Sequence, residues 1–171
     1  MMTLLTQPKR VFAGQVYMIE NSDEQGSFYQ AWQEFTDAGY FDQLDALAET
    51  PNRTAMLVFS PYGTFQYWIG SVLPEDADAP EGLQRLILPE GTAGIVTQPT
   101  NGFAPQIPVE MAFNKGLEVI EKAGFPLPSH IGQTDNPYFL ESYLLTDGEI
   151  SDVRYTLYIN PDQMDGYDEF E

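Results

Sequence analysis

The sequence predicts an α+β domain: an antiparallel sheet carrying two helices and a central cleft. Three observations lead there. Aromatic and β-branched runs of strand length alternate with turn signals along the whole chain. Two longer stretches, near 27–49 and 109–124, carry apolar residues at helical spacing instead. The order is strand–helix–strand–strand, then the same again, as a duplicated βαββ unit would read.

The elements follow in order. "RVFAGQVYMIE" at 10–20 is the first strand. "SFYQAWQEFTDAGYFDQLDALAE" at 27–49 places Phe28, Trp32, Phe35, Leu44 and Leu47 on one helical stripe. Ser27 is a candidate N-cap, and Gly39 breaks the helix or ends its first part. "TAMLVFSPY" and "TFQYWIGSVL" read as a hairpin about Pro61–Gly63. An acidic, Pro-rich loop covers 74–82. "LQRLILPEGTAGIVTQP" at 83–99 is strand again, interrupted at Pro89–Gly91, where an edge, bulge or bend is expected. "VEMAFNKGLEVIEKAG" at 109–124 is an amphipathic helix stopped by Gly124. "YFLESYLL" and "VRYTLYINP" close the chain as a second hairpin about "TDGEI". Residues 1–162 are read as one domain, and 163–171 as an acidic, frayed tail.

Composition narrows the function. The 171 residues are 43% hydrophobic and 13% aromatic, enough to fill a core. Seven Lys and Arg against 26 Asp and Glu give a net charge of −19. That charge opposes direct binding to nucleic acid, which needs a basic face, and to anionic membranes. It is compatible with cationic ligands, a basic protein partner, or plain solvation. With no cysteine, disulfides, thiolate metal sites and cysteine nucleophiles are excluded. The N-terminal charges follow a very short apolar patch, unlike a signal peptide, so a cytoplasmic location is the simplest expectation. His130, the lone histidine, lies in a Pro/Gly-rich loop without triad partners. Neither metal nor cofactor is expected: "DQMDGYDE" lacks calcium-loop spacing, and no P-loop or dinucleotide fingerprint occurs.

One residue stands out against this background. In "PYFLESYLL", strand alternation puts Phe139, Glu141, Tyr143 and Leu145 on one face. A carboxylate between two aromatic rings is costly unless a cation or hydrogen-bond donor meets it. A lipophilic cation could use both the charge and the ring faces. A tyrosine hydroxyl, a backbone amide or simple exposure would also satisfy it.

Four stretches carry a resemblance to a known family. These are "FQYWIGSVL", "GLQRLILPEGTAGIVTQ", the 109–124 helix, and "PYFLESY" with "VRYTLYINP". In order and spacing they resemble the GyrI-like (gyrase-inhibitor-like) effector-binding domains, found also in AraC-type and MerR-type multidrug regulators. The resemblance covers about residues 9–162. It implies a duplicated βαββ fold whose cleft binds hydrophobic, often cationic molecules, with Glu141 as the cation partner. Tyr67 matches the family pattern; Phe139, Tyr143, Trp32 and Tyr62 are the further candidate walls. Ala93 or Gly94 stands where the family often has an aromatic, implying a wider or less aromatic pocket. No DNA-binding helical domain precedes position 9, so the expected role is a stand-alone sensor or sequestering protein. The resemblance leaves two alternatives: a hydrolase of electrophilic small molecules using Glu141, and an acidic DNA mimic directed at a basic protein such as gyrase.

Overall fold

A computed structural model of the chain describes residues 3–18, 20, 22–62, 64–104 and 107–166. Its elements are β1 (Leu5–Gln7), β2 (Arg10–Tyr17), α1 (Tyr29–Asp37), α2 (Tyr40–Leu47), β3 (Asn52–Phe59), β4 (Phe65–Leu73), β5 (Gln84–Leu88), β6 (Gly91–Pro99), α3 (Val109–Lys122), β7 (Tyr138–Thr146) and β8 (Glu149–Tyr158). The fold is α+β. All eight strands form one antiparallel sheet in the order β1-β6-β8-β7-β3-β4-β2-β5. β2 to β5, around α1 and α2, occupy one half; β6 to β8, around α3, occupy the other together with the N-terminal β1; β3 and β7 meet at the centre.

Local chemistry accounts for most boundaries. Gly39, at φ +81°, turns the chain between α1 and α2, so the helical stretch breaks there as its glycine leads one to expect. Ser27 sits one residue ahead of the N-cap Phe28, and its Oγ accepts from the Tyr29 amide at 3.0 Å. Gly124, at φ +100°, follows α3 and ends it. Asp147 and Gly148 both have positive φ, as a two-residue hairpin turn between β7 and β8 requires.

The stretch 83–99 is not one interrupted strand. Its two parts lie far apart in the sheet order, β5 at one edge and β6 second from the other. Pro89 and Glu90 alone join them, and Pro8 and Lys9 alone join β1 to β2. Each link covers six strand spacings, about 29 Å in a flat sheet. Three Cα–Cα steps reach only about 11 Å. The sheet therefore curls until its two ends approach each other.

Alternation along the strands divides the core in two. The helix-bearing face holds Val11, Ala13, Leu57, Tyr67, Ile69, Phe139, Tyr143, Tyr155 and Leu157 beneath Phe28, Trp32 and Phe35. The other face holds a smaller cluster of Phe12, Met56, Trp68, Leu88, Leu140 and Tyr158. At the C-terminal end, a 3-10 turn at Pro161–Gln163 leads to Met164, which packs on the larger cluster and accepts from the Ser129 amide at 2.8 Å. Of the acidic tail expected at 163–171, residues 163–166 are thus held against the domain; 167–171 lie outside the described residues.

Candidate functional site

Glu141 lies near the middle of β7, between Ala55 of β3 and Tyr155 of β8. Register fixes its direction: it shares the helix-bearing face with Phe139 and Tyr143, while Leu140 and Tyr138 face the other way. It is only 7% exposed. Tyr143 answers part of its need, donating its hydroxyl to Glu141 Oε2 at 3.1 Å. Among the described residues, no Lys, Arg or His forms an ion pair with it. Burial outweighs the Tyr143 hydrogen bond and pushes the Glu141 carboxyl up from its ordinary 4.5 to about 7. Burial and the neighbouring Glu141 charge together push the Tyr67 and Tyr143 hydroxyls well above their ordinary range, and Tyr155 up to about 12.

The surrounding rings pack in two groups. Trp32 Nε1 donates to the Tyr67 hydroxyl at 2.8 Å, and Tyr67 stacks on Phe28 with centroids 4.2 Å apart. Trp32 also packs on Tyr143, at 5.8 Å, and on Phe41, at 6.0 Å. Phe139 stacks on Tyr155 at 6.2 Å. A Cβ added to Gly116 of α3 would run into both rings, so this glycine lets the helix lie directly on them.

Trp32 also lines a cavity of about 740 Å³ between α1, α2, the β7–β8 hairpin and the loop at Asn101–Gly102. Arg53 and Phe41 line it too. The Arg53 guanidinium lies over the Phe41 ring, 4.4 Å from its centroid, and forks onto Asp45 at 2.6 and 3.0 Å. The mouth of the aromatic cluster thus already holds one cation, the protein's own.

The structure brings Glu141, Tyr143, Tyr67 and Trp32 together and sets Phe139 on the same face. Tyr62 stands apart, 93% exposed at the β3–β4 turn. Trp68, beside Tyr67 in sequence, faces the opposite side as alternation requires. Phe41, Arg53 and Asp45 did not stand out in the sequence. Phe41 is visible as an apolar position one turn before Leu44, but its pairing with Arg53 spans two elements and leaves no sequence pattern. Among the described residues, no group of three or more His, Cys, Asp or Glu could hold a metal ion. No helix there is long and apolar enough to cross a membrane.

No family model matches the chain, and no curated protein matches it in sequence. Solved structures do match. The structure of SAV2435 bound to tetraphenylphosphonium aligns with a TM-score of 0.56 at 13% identity, covering 91% of this chain and 92% of that one. A protein from Staphylococcus aureus MU50 ascribed to bacterial transcription regulation aligns with a TM-score of 0.55 at 12% identity, covering 92% and 97%. The likeness extends over nearly the full length of all three chains. This chain therefore has the fold of the GyrI-like effector-binding domains that its sequence resembles.

Proposed function

We propose that this protein is a small-molecule-binding domain of the regulator type, taking lipophilic cations against Glu141. One observation carries the reading: a carboxylate is buried among aromatic rings with no cationic partner among the described residues. Such a group costs the apo fold stability, and a ligand cation would relieve that cost. Tyr67, Trp32, Tyr143 and Phe139 supply ring faces for the body of the ligand. Trp32 belongs both to the wall around Glu141 and to the 740 Å³ cavity, so its displacement would connect the two. Support also comes from the similar fold of SAV2435, whose structure contains tetraphenylphosphonium, a lipophilic cation.

The direct test titrates the whole chain with tetraphenylphosphonium, following calorimetric heat and the melting temperature. Saturable 1:1 binding and a rise in melting temperature are expected, with much weaker binding of neutral triphenylmethane-type compounds. Equal binding of charged and neutral probes would overturn the reading.

Arg53 gives a second expectation. Its guanidinium occupies the Phe41 face at the mouth, where it competes with an incoming cation. Arg53→Met should therefore tighten tetraphenylphosphonium binding by about three- to tenfold, the worth of one competing cation–π contact. Unchanged affinity in the folded variant would show that cations do not pass this platform.

A further inference from the structure

The curl of the sheet encloses a second cavity, on the face opposite Glu141. Its volume is about 870 Å³, and Gln7, Arg10, Asn52, Val72, Ser142 and Arg154 line it from six different strands. Asn52, Ser142 and Thr156 of its lining are buried, as is their neighbour Thr54, whose Oγ1 donates to Asn52 Oδ1 at 2.6 Å and lies 3.0 Å from the Ser142 hydroxyl.

The charges here are unlike those of the rest of the chain. Lys9, Arg10 and Arg154, three of its seven cations, surround the cavity. Among the described residues, none of the three has a carboxylate partner, although the chain carries 26 Asp and Glu. Arg10 Nη2 donates to Gln7 Oε1 at 2.8 Å, and Arg154 Nε to Thr97 Oγ1 at 3.3 Å. Among the described residues, Arg10 Nε is buried with no acceptor. A guanidinium on the cavity wall without a carboxylate partner among the described residues is suited to hold an anion. The carboxylates that line the cavity, Glu49, Glu75, Asp76 and Glu90, come from loops between elements, whereas Arg10 and Arg154 sit on strands.

We propose that this cavity is a second ligand site, for a small organic monocarboxylate with an apolar body. The carboxylate meets the Arg10 guanidinium beside Gln7. The body lies along Ile95, Leu140 and Leu144. The loop carboxylates repel a doubly charged head group more strongly than a singly charged one, which sets the preference for a single negative charge. The assignment does not depend on the reading of Glu141.

The test uses three eight-carbon probes on the full chain at pH 7.5: octanoate, octyl phosphate and octylammonium, each followed by calorimetry. Octanoate should saturate at one equivalent and bind at least tenfold tighter than octylammonium, with octyl phosphate in between. Arg10→Gln should weaken octanoate at least tenfold, and Glu141→Gln should leave it unchanged. Arg154→Gln, a surface-accessible change less able to disturb folding, should weaken it two- to fivefold. Absent saturation, equal binding of octanoate and octylammonium, or an indifferent Arg10 variant that still melts cooperatively would each overturn the site. Tighter binding of octyl phosphate would overturn the choice of a carboxylate. Loss of octanoate binding in Glu141→Gln would move it to the other face and overturn the proposal. The ranking on the unaltered protein decides the case even where a variant does not fold.

Discussion

Glu141→Gln is expected to make the protein more stable at pH 8 and a worse binder of lipophilic cations. Both effects come from the same buried carboxyl. In the unfolded chain it titrates near its ordinary 4.5, and in the folded protein near 7. Between those values the folded state holds the proton more tightly, so this group's contribution falls as pH rises. It is fully present below about 4.5 and lost above about 7. The span corresponds to about 3 kcal/mol, since each pKa unit is worth about 1.4 kcal/mol. The neutral Gln avoids that penalty at pH 8 and can still accept from the Tyr143 hydroxyl. Subtracting the urea-unfolding free energies of the variant from those of the wild type, across pH 4 to 8, isolates the effect from the other carboxylates. The difference should be near zero at pH 4 and favour the variant by about 2 to 3 kcal/mol at pH 8. Tetraphenylphosphonium affinity should fall ten- to hundredfold, the loss of about 1.4 to 2.8 kcal/mol from a buried charge partner. A flat stability difference would place the carboxyl in a more polar setting than the structure does. Unchanged affinity would sink the assigned site.

The second large effect concerns two glycines that face each other across β2 and β4. Gly14 pairs with Gly70. A Cβ on Gly14 would sit on the Ile69 carbonyl, and a Cβ on Gly70 on the Ala13 carbonyl. Both obstacles are backbone in buried strands, so neither can swing aside as a flexible side chain would. Glycine in a strand interior weakens the strand intrinsically, and here it marks a close backbone approach. Gly70→Ala is expected to cost on the order of 4 kcal/mol or more, a large share of the roughly 5 to 15 kcal/mol that holds a typical domain together. Gly102→Ala is the control: no atom lies within 4 Å of its added Cβ, and it should change stability by less than about 0.5 kcal/mol. Urea denaturation of both variants checks the pair. A Gly70 variant as stable as the control would mean that the two strands can part without loss.

The facing of Glu141 was legible because it depends on a short-range rule. Strand alternation alone places Glu141 with Phe139 and Tyr143 and separates Tyr67 from Trp68. Gly39, Gly124 and the Asp147–Gly148 turn were legible because each is a local backbone requirement tied to residue type. What stayed hidden is what depends on contacts between distant segments. β1 has only three residues, none buried, so it carries no alternation signal; β6 recruits it through Leu5, Thr6 and Gln7. The split of 83–99 into strands at opposite ends of the sheet follows from closure of the curl, which no local window contains. The Arg53–Asp45–Phe41 platform joins α2 to β3. Tyr62 is an aromatic beside a turn, and composition cannot tell a turn tip from a pocket rim.

The seam at the centre of the sheet has a consequence for how the chain is made. Val58 meets Tyr138 and Asn52 meets Leu144, 80 and 92 residues later. During synthesis the first half can pair β2, β3 and β4 among themselves, but β3 then has a bare edge. That edge runs through Ala55, Met56 and Leu57, three apolar residues in a row that are buried in the finished protein. It stays uncovered until β7 leaves the ribosome, some four to sixteen seconds later at typical elongation rates of about 5 to 20 residues per second. An uncapped apolar strand edge is a template for pairing with another chain. The nascent first half is thus the stage most exposed to aggregation, and the strand that carries the buried Glu141 is also the strand that ends the exposure.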